Sequence, residues 1–246
     1  MELSYHGRDY HGWQIQKNGI SVQEVLEDKL SKLLKTSIKI TGAGRTDCGV
    51  HALQMFAHFY SETPLEEFLL IRRINYFLPK TIKVSRISPV RENAHARFDA
   101  ISRTYEYHIY LGKYPLGGDM SWWLKRTLDI KKMNKATDIL KKYEDFSSFC
   151  KLIENNKKRT CKIYRAQWFK SKKSLFFIIE ANRFLRNMVR AIVGTLVEVG
   201  RGKIDLSDFS KIIEAKDRRC AGNSAPALGL SLKRIRYPED IFLFNY

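Results

Sequence analysis

A chain of 246 residues with 44% apolar and 12% aromatic side chains has material for a sizeable core, in one large domain or two small ones, and is too apolar for intrinsic disorder. Its 44 Lys and Arg against 26 Asp and Glu give a net charge of +18, which points to a polyanionic partner; an anionic membrane surface, or a lysine-rich composition serving solubility, are the competing readings. Four cysteines, at 48, 150, 161 and 220, have neither Cys-x-x-Cys spacing nor histidines at zinc-finger distances, which argues against a disulfide framework and a structural zinc site.

The first residues, MELSYHGRDYHGW, lack the apolar centre of a secretory leader, and Leu3-Ser4-Tyr5 reads as a short strand. Ser21 with Glu24 forms a capping box, and Val22, Val25, Leu26, Leu30, Leu33 and Leu34 follow at helical spacing. SIKITGAG reads as a strand entering a glycine-rich loop, Leu53 to Tyr60 as another strand, and Glu66 to Phe77 as a helix stopped by Pro79. TIKVSRISPV is a further strand. Arg103 to Leu111 alternates Tyr105, Tyr107 and Ile109 with Thr104, Glu106 and His108, the period of a strand. Lys131 to Tyr143 is helical, and Lys162 to Phe169 pairs with Leu175 to Ala181 across Lys170-Ser171-Lys172-Lys173. Arg183 to Val199 reads as the longest helix, with Leu185, Val189, Ile192 and Leu196 as its apolar stripe, and Leu232 to Ile235 closes as a strand. The apolar runs Leu175 to Ile179 and Ala191 to Val199 are too short or interrupted to span a bilayer, so the cytoplasm is the expected compartment. Strands alternating with helices place the chain in the α+β class, with the pattern restarting near Arg97 to Ser102. The expected division is therefore residues 1–100 and 101–246.

Chemistry concentrates in Thr41 to Ala52, TGAGRTDCGVHA, where three glycines surround an arginine, a hydroxyl and a carboxylate. Asp47 is the candidate nucleophile of the loop, and Arg45 beside it offers a fork for a phosphate or a base edge. The loop ends in no Gly-Lys-Ser/Thr and contains no Gly-x-Gly-x-x-Gly, so two familiar nucleotide-binding loops are ruled out. From composition alone, a structural turn capped by Asp47 stands beside the catalytic reading.

The string Gly44-Arg45-Thr46-Asp47-x-Gly49-Val50-His51-Ala52 resembles the signature loop of the TruA family of tRNA pseudouridine synthases. Tyr10-His11-Gly12-Trp13-Gln14-x-Gln16, Asn75-Tyr76-Phe77-Leu78-Pro79, His95-Ala96-Arg97-Phe98, Arg103-Thr104-Tyr105-Glu106-Tyr107, Asp145-Phe146-Ser147-Ser148-Phe149 and Phe184-x-x-x-Met188-Val189-Arg190 follow the family's order over nearly the whole chain. Cys48 departs from it, standing where the family usually has alanine.

The resemblance implies a fold of two ferredoxin-like α/β halves sharing a central mixed sheet, with the active cleft between them. It implies cofactor-free and metal-free isomerisation of uridines 38, 39 and 40 in the anticodon stem-loop of tRNA, by a homodimer. It assigns the nucleophile to Asp47, the active-site tyrosine to Tyr105, and the residue that orients Asp47 to Arg190. Arg45 is expected to support the flipped nucleotide. Thr46 and His51 are further candidates for RNA contact, although for His51 a satisfied structural histidine is the favoured reading. Arg183 and Arg186 precede Arg190 at i, i+3, i+7 spacing and are expected to share its helix face toward RNA. Lys157-Lys158-Arg159 and Arg201 to Lys203 would track phosphates. A non-catalytic RNA-binding protein, an N-glycosylase, and a synthase acting on another RNA remain as alternatives.

Overall fold

In the computed structural model, which describes residues 1–113, 118–151 and 159–243, the fold is α+β and the chain divides into two units, Met1–Ile101 with Leu232–Tyr246, and Ser102–Ser231. The first unit runs β1 (Glu2–Tyr5), α1 (Val22–Leu34), β2 (Thr41–Gly42), β3 (His51–His58), α2 (Glu67–Phe77) and β4 (Ile82–Arg86). β1 lies between β3 and β4, antiparallel to both, and β2 pairs with the far end of β3. Leu3 and Tyr5 alternate into the core, where Trp13, Leu26, Leu30, Met55 and Ile74 are also buried.

The α1 start is the capping box read from the sequence: the Glu24 N–H donates to Ser21 Oγ at 3.2 Å, and the Glu24 carboxylate accepts from the Ser21 N–H. α2 stops as expected, because Leu78 precedes Pro79 and takes extended backbone, φ −74 and ψ 147. Asn75 then ties α2 to β4 by donating to the Val84 carbonyl and accepting from the Val84 N–H, at 2.7 and 2.8 Å.

The expected strand over SIKITGAG is corrected to the two residues of β2. The preceding backbone is satisfied by side chains of α1 instead of a ladder. Ile38 N–H donates to Ser31 Oγ, Ile40 N–H donates to Glu27, and the Ile40 carbonyl accepts from Gln23.

The second unit contains β5 (Ser102–Leu111), β6 (Trp122–Leu124), α3 (Ile130–Leu140), β7 (Ile163–Ser171), β8 (Ser174–Ala181), α4 (Met188–Gly200) and α5 (Leu206–Glu214). β8 is antiparallel to β5 on one side and to β7 on the other, while β6 runs parallel to β5. The β7–β8 turn is tighter than the four residues expected, because Ser171 and Ser174 still pair and Lys172 takes a left-handed φ of 52°. β6 and α5 were not read from the sequence. α5 had a signal, Leu206, Phe209 and Ile213 at spacings of three and four behind Asp205, and it buries Phe209 and Ile213.

α4 is buried on nearly every side, from Met188 to Gly200, and α3 packs against it and against β7. It does not begin at Arg183. Asn187 stands at φ 65°, in the left-handed region that asparagine tolerates better than other side chains bearing a Cβ, and helical backbone starts only at Met188. Leu185 therefore drops out of the apolar stripe, and Arg183 and Arg186 do not share a helical face with Arg190. The chain then enters β9 (Leu230–Arg236), which lies beside β3 in the first unit, where the Ile235 N–H donates to Gln54 Oε1 at 2.9 Å.

Candidate active site

Asp47 sits in an irregular loop between β2 and β3, and the packing of that loop is set by the segment after β1. Trp13 N–H donates to the Thr46 carbonyl at 3.3 Å, and Gly49 N–H donates to the Tyr10 carbonyl at 3.2 Å. Ala43 N–H donates to the Phe56 carbonyl at 2.8 Å, which fixes the loop at its entry. Gly12 is in the left-handed region at φ 84°, and a Cβ there would stand 2.3 Å from the Thr46 carbonyl oxygen and 3.2 Å from the Asp47 carbonyl carbon. The peptide units on either side of Asp47 thus rest directly on a backbone that no side chain holds away.

Thr46 and His51 brace the same loop from its buried side. Thr46 Oγ1 shares a 2.8 Å hydrogen bond with Tyr5 OH, and Thr46 is 8% exposed. His51 is 1% exposed, and its Nδ1 accepts from the Gly7 N–H at 3.0 Å, which leaves the proton of the neutral ring on Nε2. Asp47 is half-buried, while Arg45 and Cys48 on either side of it are exposed. The arrangement is a half-buried carboxylate at the accessible edge of a loop that Thr46 anchors from within, between the exposed Arg45 and Cys48.

Tyr105 and Arg190 belong to the second unit. Tyr105 lies in β5 opposite Ile179 of β8, half-buried, with its ring edge-on to Phe184 at 5.1 Å between centroids. Arg190 is in the first turn of α4, half-buried. Its Nε donates to the Ala225 carbonyl at 2.8 Å, and the Ala225 N–H donates to the Arg190 carbonyl at 2.9 Å. This two-way bond fixes the start of its side chain. One turn of β5 pleat further on, Tyr107 is fully buried and donates to the Pro226 carbonyl at 2.8 Å, and burial pushes its hydroxyl far above the ordinary tyrosine range. Tyr107 is a structural anchor of the 225–226 segment, whereas Tyr105 keeps an accessible edge.

Arg183 and Arg186 fall in the connector between β8 and α4, Arg183 half-buried and Arg186 exposed. The Arg186 carbonyl accepts from the Lys151 N–H at 3.2 Å. Of the expected basic clusters, Arg159 and Arg201 to Lys203 are seen, with Arg201 and Lys203 both paired to Glu198 at 2.6 and 3.0 Å; Lys157 and Lys158 lie outside the described residues. Sequence reasoning gave no role to Gly12, Trp13 or Tyr5, although a glycine inside Tyr10-His11-Gly12-Trp13 was a signal of a close backbone approach. Among the described residues no group of three or more His, Cys, Asp or Glu could hold a metal ion, and no helix is long and apolar enough to cross a membrane.

Comparison with known proteins places these features in context. The sequence model of a family described as tRNA pseudouridine synthase matches residues 3–99 and 143–238. The chain is 49% identical over 240 residues to a tRNA pseudouridine synthase A of Azobacteroides pseudotrichonymphae, covering 98% of this chain and 96% of the relative. It is 49% identical over 243 residues to the protein of the same name from Bacteroides thetaiotaomicron, covering 98% and 90%. The corresponding protein of Francisella tularensis subsp. novicida is 39% identical over 246 residues, covering 98% and 95%.

Proposed function

The chain belongs to the tRNA pseudouridine synthase family, and on that premise we propose that it isomerises uridine to pseudouridine in the anticodon stem-loop of tRNA, at positions 38, 39 and 40. The reaction breaks the N1–C1′ bond, turns the uracil and joins C5 to C1′. The proton on C5 is lost, N1 gains one, and the mass of the RNA is unchanged. No electrons are exchanged with a cofactor in that balance.

The observation that carries the reading is the presentation of Asp47: a carboxylate at the accessible edge of a loop held by Trp13, Tyr10, Tyr5 and Gly12. Attack on C6 of the base, attack on C1′, and passage through a glycal-like intermediate all begin from such a fixed carboxylate. In this proposal Tyr105 stacks on the uracil with its accessible edge toward the proton transfer that ends the reaction. Arg190 orients the Asp47 carboxylate, and Arg45 supports the nucleotide extruded from the stem-loop. Arg183 and Arg186 contact the RNA backbone from the connector ahead of α4, not from a helical face. The enzyme works as a homodimer in the cytoplasm, without a cofactor or metal.

The test is release of tritium from C5-labelled unmodified tRNA, with chemical mapping of the product. Wild type should release tritium from the anticodon arm and leave the RNA intact. Free uracil would instead identify a glycosylase. Asp47→Asn should bind tRNA and release none; turnover by a purified Asp47→Asn protein would remove Asp47 from the nucleophile role. Light scattering on the purified chain, which should give twice the 28.8 kDa protomer mass, tests the dimer.

A further inference from the structure

The loop His95-Ala96-Arg97-Phe98 carries an aromatic ring that the fold does not use. Phe98 is 74% exposed, yet the backbone that presents it is fully tied down. Ala94 N–H donates to the Arg91 carbonyl, His95 N–H to Asp99 Oδ2, and Ala96 N–H to His58 Nδ1. Arg97 and Phe98 N–H both donate to His95 Nδ1, at 3.1 and 3.3 Å, and Asp99 N–H donates to the His95 carbonyl. Six successive N–H groups thus have partners inside the first unit. Tyr237 OH also donates to the Ala96 carbonyl, and Arg91 pairs with Asp99 at 3.7 Å.

A loop ordered to this degree ordinarily turns its phenyl ring inward, since burying one is favourable by roughly 1.5–3 kcal/mol. Here the ring stands at the apex, 4.2 Å between centroids from His95, with the Arg97 guanidinium 5.7 Å from its centre. Asp99, next to Phe98, is turned back onto His95 N–H and Arg91, while Glu92 is exposed at the start of the segment. What faces outward is a rigid aromatic plane beside a planar cation, on a chain of net charge +18.

We propose that Phe98 and Arg97 form a stacking platform for an unpaired base of the substrate RNA, with the guanidinium on the adjoining phosphate. The platform is tied to the loop that holds Asp47. His58, which fixes Ala96, ends β3 opposite Thr41, and Gly42 is opposite Ala57. From Gly42 to Asp47 the chain reaches at most ~18 Å, so Asp47 and the platform are linked through one short stretch of the same unit. The inference rests on the function proposed above for the identity of the RNA; the contact itself follows from the loop.

The experiment compares wild type with Phe98→Leu, Phe98→Tyr and Arg97→Ala, using an unmodified anticodon stem-loop RNA for binding and tritium release. Phe98→Leu should raise Kd by about 5- to 100-fold, in line with the stacking of one base, raise KM in step and leave kcat unchanged. Phe98→Tyr should stay within about two-fold of wild type, and no variant should shift the melting temperature. A series of RNAs, each abasic at one loop position, locates the base: at one position wild type should lose the same factor, and Phe98→Leu should lose nothing more. Wild-type affinity in Phe98→Leu, or an equal loss at every abasic position, would overturn the platform. So would a change in oligomeric state in place of RNA affinity, since it would assign the ring to a second copy of the chain. If wild type releases no tritium while Phe98 still governs RNA binding, the proposed activity fails and the platform stands.

Discussion

Replacing Gly12 by alanine tests whether the geometry around Asp47 is imposed from the segment after β1. Two costs add at this position. An L-residue at φ 84° pays for left-handed backbone, roughly 1–2 kcal/mol. The new methyl then stands 2.3 Å from the Thr46 carbonyl oxygen and 3.3 Å from the Cys48 nitrogen. Both neighbours are main chain, so no rotamer relieves the contact, and overpacking of this kind costs about 1–3 kcal/mol. A destabilisation of about 3 kcal/mol should lower the melting midpoint by roughly 6–12 °C for a chain of this length. The loss of turnover should be larger than the loss of stability, because the peptides flanking Asp47 must shift and a displacement near 1 Å can cost about 10²-fold in rate. Gly44→Ala is the control within the same loop: no described atom lies within 4 Å of its added Cβ, and its φ is outside the left-handed region. It should melt at or slightly above the wild-type temperature. Measured by calorimetry and by tritium release at a temperature where both variants are folded, a Gly12→Ala protein with wild-type melting and rate would refute the bracing argument.

Arg190→Ala should lose far more turnover than tRNA affinity, since Arg190 is held by the Ala225 carbonyl inside the unit; a variant with the wild-type rate would make it structural. Burial first, and the nearby His95 second, hold the His58 imidazole below its ordinary value, and burial does the same to His108. The unfolded chain therefore takes up protons near pH 6.5 before the native one does, so stability is full above that pH and falls as the pH drops below it. Denaturant midpoints should be lower at pH 5.5 than at pH 7.5, and equal midpoints would contradict the shifts. Burial pushes the Cys161 thiol up to about 12, whereas Cys48 and Cys220 are exposed. A thiol reagent at neutral pH should label Cys48 and Cys220 first and Cys161 only in denaturant, as read by mass spectrometry, with turnover lost in step with labelling at Cys48 and retained by Cys48→Ala.

What was legible in the sequence was what nearby residues decide. Ser21 and Glu24 fix the start of α1 through their own hydrogen bonds, Pro79 stops α2, and the alternation of Tyr107 and Ile109 with their neighbours marks β5. The loop itself was legible for the same reason, since Arg45, Thr46 and Asp47 are adjacent. Ile38 and Ile40 looked like strand residues because their partners, Ser31, Gln23 and Glu27, lie on a helix earlier in the chain. The helical period ran back through Leu185 to Arg183 because apolar spacing carries no sign of a single left-handed residue; Asn187 was its only trace.

That break at Asn187 changes how the arginines ahead of α4 are to be understood. On a continuous helix, Arg183, Arg186 and Arg190 would be spaced by its rise, and a change at one would leave the others in place. Off the helix, Arg186 is positioned by its carbonyl bond to Lys151, and Asn187 by its 2.6 Å bond to Ser224. The 224–225 segment that receives Asn187 also receives Arg190 through Ala225. Asn187, next to the proposed RNA contact Arg186, and Arg190, the proposed partner of Asp47, are therefore held by adjacent residues of one strip of chain. The chain ahead of α4 is thus a connector tied to Ser224 through Asn187 and to Lys151 through the Arg186 carbonyl, where the sequence spacing had indicated a charged helix face.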